Sequence, residues 1–323
     1  MKPHPLVSVI IPCFQAENFV REAVESVAAQ TYPRLETFAI DDGSTDNTLA
    51  ILEEYRQVAT VLRHPGGDNR GVSLTRKLGI DRAQGKYIAF LDADDYFAPD
   101  KIAVQIELLE NRPDVVLCHT GMHQINEMQT GYDGRSWFNY TEELDQYDLK
   151  KQDIYLRANR ICNSSVMIRA DVVRSLPFAG EQLFQFEDWL TWTLAAEHGE
   201  FIYCPQQLLN YRVHPASATS AVLDSRLRRL YSYLEYYLAV FAHSRRPETR
   251  QVCVACLLEK LDDLADEYAG CGGDGRREKR LSAMLRQLAP GSEAALPGGF
   301  FERLRAVLPQ RRSPETRDDL GGR

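Results

Sequence analysis

The chain has 323 residues, 44% hydrophobic and 26% charged, and its acids outnumber its bases 46 to 38 for a formal charge of -8. This is ordinary globular composition, long enough for one large domain or two moderate ones with a sizeable core, and the negative balance argues against nucleic acid as a partner. The apolar opening VSVIIP is too short for a signal peptide, and no run reaches the ~20 apolar residues of a membrane helix, so a cytoplasmic protein is expected.

The first third alternates apolar strands with helical patterns. VSVIIP reads as a buried strand, followed by AENFVREAVESVAAQ with Phe19, Val20, Ala23, Val24 and Val27 on one helical face. TFAID is the next strand and STDNTLAILEEYRQV the next helix, with Ser44 or Thr45 placed to cap its first turn. TVLRH, RGVSLTRKLGIDRAQ and KYIAFLD continue as strand, helix and strand. This order implies right-handed crossovers and a mainly parallel sheet. Residues 112–220 mix VVLCHTGMHQI, CNSSVMIR and FIYCPQQLLNYRVH around an acidic helix beginning at FEDW, completing a domain over residues 1–220.

From residue 221 the pattern turns helical, through LDSRLRRLYSYLEYYLAVFAHS and ETRQVCVACLLEKLDDLADEYAG, then REKRLSAMLRQLA and GFFERLRAVL after a Gly-rich break. These form a helical region over 221–310, with a tail at 311–323 that has little to bury and reads as disordered. The helices offer a surface for oligomerisation. GFFERLRAVLPQRR could lie on a membrane as an amphipathic helix or pack on its own domain. The seven cysteines are scattered and odd in number, which reads as reduced, buried thiols. Cys253 and Cys256 lack a second pair and mark one face of a helix rather than a zinc site.

In sheets of this kind, ligands bind beyond the carboxyl ends of the strands. Three successive strand ends here open into polar sequence: DDGSTDNT after TFAI, HPGGDNRG after TVLR, and DADD after IAFL. Asp92, Asp94 and Asp95 therefore crowd one strand end, where two unit charges ~4 Å apart repel by roughly 4 kcal/mol at an effective dielectric of about 20. A turn whose aspartates cap the helix of PDKIAVQIELLE is one explanation. A divalent cation is the other: Mg²⁺ and Mn²⁺ take oxygen ligands, with one or two carboxylates plus substrate phosphates. Asp-x-Asp on an extended segment projects both carboxylates from one face. HPGGDNRG lacks the Gly-Lys-Ser/Thr ending of a P-loop, and no GxGxxG follows the first strand, which disfavours a dinucleotide oxidoreductase.

Five segments together, VSVIIPCFQAENFVREAVESVAAQTYPRLETFAIDDGSTDNT, NRGVSLTR, GKYIAFLDADDYFAPDKI, FEDWLTWTLAAEHGEF and YRVHPASATS, resemble family 2 glycosyltransferases of the GT-A fold. The resemblance spans residues 5–220 and implies a Rossmann-like α/β domain with an α-helical C-terminal extension. It implies non-processive, inverting transfer of a sugar from a nucleotide diphosphate donor, UDP-linked, to a hydroxyl on a glycan or lipid-linked acceptor, as in bacterial polysaccharide synthesis. Mn²⁺ or Mg²⁺ is the implied cofactor. Pro12 and Phe14 match positions at the nucleobase, Asp41 and Asp42 the carboxylates that read base or ribose, and Asn69 and Arg76 positions near base and phosphates. Asp92 matches the ribose- or metal-side aspartate, Asp94 the direct metal ligand, and His214 a residue that can approach metal or diphosphate.

Glu187-Asp188 matches the pair whose second member deprotonates the acceptor hydroxyl. Phe186 and Trp189 flank it, either as an apolar wall that raises basicity or as a platform for a sugar. Two departures stand beside the donor pocket: Gln15 and Lys77 occupy positions where the family usually has Asn. The rival readings are a sugar-nucleotide nucleotidyltransferase, whose Gly-rich N-terminal signature is absent, and a non-catalytic adaptor, which would not need DADD or Glu-Asp. A cytoplasmic enzyme, with peripheral membrane contact open, is the implied setting.

Overall fold

The computed structural model describes residues 4–126, 156, 159–176, 186–214 and 226–270. In chain order the elements are β1 (Val7–Cys13), α1 (Val20–Ala28), β2 (Leu35–Asp41), α2 (Thr48–Glu54), β3 (Thr60–Arg63), α3 (Val72–Arg82), β4 (Tyr87–Phe90), β5 (Tyr96–Phe97), α4 (Lys101–Asn111) and β6 (Val115–Asn126). A 3-10 turn at Asn163–Ser165 precedes β7 (Met167–Arg169), α5 (Ala170–Ser175), α6 (Glu187–Ala195), β8 (Glu200–Val213), α7 (Arg226–His243) and α8 (Pro247–Gly270).

The strands form one sheet in the order β3-β2-β1-β4-β7-β6-β8-β5. The β3-β2-β1-β4 half is parallel, as the alternation of strands and helices requires. β7 then runs antiparallel to both β4 and β6, β8 pairs parallel with β6, and the two-residue β5 closes the edge antiparallel to β8. Every residue of β1 and β4 is buried, which explains their unbroken apolar runs: helices cover both faces. α1 buries Val20, Ala23, Val24 and Val27, the i, i+3, i+4, i+7 stripe of an amphipathic helix. α3 crosses β1 and β2 at Gly79, where a Cβ would stand 2.7 Å from Ile10 Cγ2 and 2.9 Å from Ile40 Cδ1.

The capping expectation for α2 is corrected. Its N-cap is Asn47, without a side-chain bond of its own. Ser44 Oγ instead accepts from the Gln15 backbone N–H at 3.1 Å, and Thr48 Oγ1 from the Ala16 N–H at 2.8 Å. The hydroxyls tie the β1–α1 loop to the β2–α2 loop, a long-range use that competes with local capping. The aspartates of DADD do not cap α4 either, since β5 intervenes and Asp100 is the N-cap.

α7 and α8 lie where helical periodicity places them, and Cys253 and Cys256 are buried on one face of α8. Among the described residues every cysteine is a buried free thiol. The hairpin shares one hydrophobic cluster with the sheet, joining Phe90 and Ile168 to Trp189, Tyr236 and Leu257. No helix of the described residues is long and apolar enough to cross a membrane. The helices expected at 277–289 and 299–308, the tail, Cys271 and the PASATS segment lie outside the described residues.

Candidate active site

The parallel strands β1, β2 and β4 end side by side, and each delivers residues to one edge of the sheet. At the end of β1, Pro12 is buried in register with Ile40, while the Phe14 ring is 45% exposed. Gln15 follows with φ 51°, a left-handed conformation that Asn tolerates better than Gln. The longer side chain compensates: Gln15 Oε1 accepts from the Thr45 N–H at 2.8 Å and from the Asp46 N–H at 3.3 Å.

Asp41 and Asp42 both turn inward. Asp41 is fully buried and paired with Arg63 Nε at 2.9 Å. Asp42 accepts the backbone N–H groups of Arg70 at 2.7 Å and Gly71 at 2.9 Å, and His64 Nε2 stands 3.7 Å away. Burial raises the Asp42 carboxyl above the usual range against the pull of those hydrogen bonds. The pair thus fastens the 64–71 loop onto the β2 end. Gly43, at φ +76°, lies beneath that loop, and a Cβ there would meet Asn69 N and Gly67 O at 2.7 Å. Asn69 itself is exposed in the loop. Lys77 points away, pairing with Asp81 one helical turn on at 2.6 Å.

The carboxylates of DADD splay, which resolves their mutual repulsion. Asp92 Oδ1 accepts from Arg76 Nη2 at 2.7 Å and from Asn163 Nδ2 at 2.9 Å. Asp94 Oδ2 is 3.1 Å from His214 Nε2, and its side chain is 30% exposed. Asp95 is buried and accepts the Arg212 N–H at 2.9 Å. Burial together with the Asp94 and Asp92 charges pushes its carboxyl well up. The Arg212 guanidinium bonds to the Asp94 carbonyl at 2.6 Å and to Glu22 at 2.5 Å, and lies 4.9 Å from the Phe19 ring, which also packs on His214. Asp95 thus fastens the end of β8, which delivers His214, to the aspartate loop.

Arg76 joins the two acidic motifs. It is buried on α3, and one guanidinium grips Asp92 and Glu187 together. Burial alone would disfavour its charge, but those two carboxylates outweigh it and raise the arginine further above its ordinary value. Asp188, half-buried, opens α6, where the helix dipole favours an anion. It accepts from Asn159 Nδ2 at 3.0 Å and from the Trp189 N–H at 2.6 Å. Burial, seconded by the Glu187 charge, nevertheless raises its carboxyl to about 7.

Trp189 is corrected as a sugar platform. It is 2% exposed and stacks at 3.9 Å on Tyr236 of α7, facing the core. Asn159, Asn163 and Ser164, whose Oγ accepts the Asp92 N–H at 3.0 Å, were not singled out from sequence. The polar triplet in CNSSVMIR points to Asn163 and Ser164, and Asn159 lies outside it.

The described residues hold no cluster of three or more His, Cys, Asp and Glu ligands. The donor set at Asp94 and His214 still fits a divalent cation that shares its coordination with a substrate diphosphate: a partly exposed carboxylate and an imidazole converge within 3.1 Å. Asp92, committed to Arg76 and Asn163, fits that role less well.

Comparison with known proteins bears on the family and the fold. The model of the family described as "Glycosyl transferase family 2" matches residues 8–176. An uncharacterized glycosyltransferase of Haemophilus influenzae is 31% identical over 229 residues, covering 69% of this chain and 70% of the relative. Among solved structures, S. aureus TarS 1-349 in complex with UDP superposes with TM-score 0.56 at 17% identity, covering 94% of this chain and 90% of that one. The mannosyltransferase PcManGT from Pyrobaculum calidifontis, in complex with GDP-Man and Mn²⁺, gives TM-score 0.60 at 16% identity, covering 95% and 84%. These two neighbours share the GT-A glycosyltransferase fold with the chain. From the matched segment and the Haemophilus relative, the chain belongs to glycosyl transferase family 2.

Proposed function

We propose that this glycosyltransferase performs metal-dependent, inverting transfer of one sugar from a nucleotide diphosphate donor, UDP-linked, to a hydroxyl of a glycan acceptor. The observation that carries the reading is the Arg76 bridge, which brings Asp92 of the aspartate motif and Glu187-Asp188 into one cluster. The nucleotides named with TarS, UDP and UDP-GlcNAc, support a UDP donor.

Asp188 takes the acceptor's proton as the hydroxyl oxygen attacks the anomeric carbon. The bond from that carbon to the diphosphate oxygen breaks, and the diphosphate leaves with the electron pair. A carboxyl raised to about 7 is matched to this task, because a base works best when its pKa lies near the working pH. Glu187 holds Arg76, and Arg76 in turn fixes Asp92 toward the ribose side. Phe14 offers the exposed ring for the nucleobase. Asp94 and His214 would hold Mn²⁺ or Mg²⁺, which supplies charge neutralisation for the departing diphosphate.

Nucleotide release from UDP-GlcNAc and GDP-mannose, with Mn²⁺ and with EDTA, tests the reading. Asp188→Asn should keep Mn²⁺-dependent UDP binding while release falls by about 10²–10⁴-fold. Asp94→Ala should lose the Mn²⁺ dependence of UDP binding. Wild-type turnover in Asp188→Asn removes Asp188 from the mechanism, and undiminished Mn²⁺-dependent affinity in Asp94→Ala removes the metal assignment.

A further inference from the structure

The helix that presents Glu187 and Asp188 is held from outside the sheet. α6 spans only Glu187–Ala195, too short to be stable alone. It begins at Phe186, a bulky residue in the left-handed conformation at φ 66°, a geometry that surrounding packing must enforce. That packing comes from α7. The Phe186 ring lies 5.2 Å from Tyr233, and Trp189 stacks on Tyr236 at 3.9 Å with 17° between planes. The Tyr236 and Thr193 hydroxyls are 2.7 Å apart. At the other end of the helix, Glu197 accepts from Ser244 Oγ at 2.5 Å and from the Arg245 N–H at 3.0 Å, in the turn between α7 and α8. Both ends of α6 are therefore fastened to the hairpin, which lies beyond the segment matched by the family model.

We propose that the hairpin of residues 226–270 is a positioning element of the active site, in which Tyr233 and Tyr236 lock α6 so that Asp188 meets the acceptor in one orientation and partly shielded from water. The inference rests on Asp188 being the base. A shift of about 1 Å in such a group is enough to slow catalysis 10²-fold. Release of α6 would also admit water to Asp188, whose charged and titratable neighbours are Glu187, Arg76 and the Cys162 thiol. Glu187 travels with Asp188 on α6, while Arg76 and Cys162 lie outside that helix.

The test compares full-length wild type with Tyr236→Leu, Tyr236→Phe and Tyr233→Leu. Two readouts are used: nucleotide release from the better of UDP-GlcNAc and GDP-mannose, and the carboxyl ¹³C NMR titration of Asp188. Tyr236→Leu should lower kcat about tenfold or more with KM for the sugar nucleotide little changed, and should move the Asp188 midpoint down by about one pH unit. Tyr236→Phe keeps the stacked ring and should restore most of the rate. Tyr233→Leu, at a half-buried position, gives the same direction of change if Tyr236→Leu does not fold. Folded leucine variants with wild-type kcat and an unmoved midpoint overturn the inference. Asp188→Asn, run alongside, separates the two readings: turnover retained there defeats the base assignment, whereas turnover lost there with unaffected leucine variants defeats the hairpin's part alone.

Discussion

Asp188 sits between opposing influences, and their balance sets when it can act. Burial and the neighbouring Glu187 charge favour the protonated form, while Arg76, the Trp189 N–H and the Asn159 amide favour the anion. In the base role proposed for it, Asp188 must be ionised to accept a proton. With the carboxyl at about 7, kcat/KM should fall about tenfold per pH unit below that point, where an ordinary carboxylate would stay flat to about pH 5. Asn159→Ala removes a donor to the charged form, so the acid limb should move to higher pH. A pH–rate profile of both proteins decides this, and an unmoved or lowered acid limb in Asn159→Ala would contradict it. The Asn159 contact spans 29 residues of sequence and the Asn163 contact to Asp92 spans 71, so neither has a local signature. Arg76 was legible as a site residue through the family resemblance. Its simultaneous hold on two motifs was not, because nothing local in NRGVSLTR says which carboxylates a buried guanidinium meets.

At the scale of elements, the 64–71 loop is fastened by contacts that one methyl group would break. Gly43→Ala places a Cβ against the Asn69 and Gly67 backbone and strains a residue at φ +76°. It should cost about 1–3 kcal/mol and loosen the loop over the proposed donor side. Thermal unfolding with UDP titration checks it, and an unchanged Tm with unchanged UDP affinity would show that the loop does not depend on Gly43. The strands and helices of the first hundred residues were legible because their periods differ, 2 or unbroken apolar against 3.6. β5 was not, since two residues carry no period and its place depends on β8. The α2 cap was misplaced because the hydroxyls of Ser44 and Thr45 both engage Gln15, some 30 residues away, and composition does not rank that partner against the local backbone. The aromatics of FEDW were legible as flanking the acid pair. Which way Trp189 faces depended on the tyrosines of α7, some 45 residues on.

For the whole molecule, one buried cation links folding to pH. Lys101 is 0% exposed at the start of α4, bonded to Gln105 Oε1 at 2.8 Å and lying 4.0 Å over the Phe97 ring. Gln105 is itself committed, donating to the Cys118 and Ser165 carbonyls at 2.9 Å each. Among the described residues no carboxylate pairs with Lys101, and burial lowers the ammonium from 10.5 to about 7. The unfolded chain therefore binds the proton more tightly. Between pH 7 and 10.5 it carries more protons than the folded chain, so this group's contribution to stability rises with pH; below 7 its full cost is felt. Lys101→Met removes that dependence together with the partner of Gln105, the latter a constant offset. The difference in Tm, variant minus wild type, should be most favourable to the variant at pH 6 and should decline steadily toward pH 10. A difference that stays level from pH 6 to 10 would mean that Lys101 keeps its ordinary affinity for the proton, with water reaching the ammonium in spite of its position.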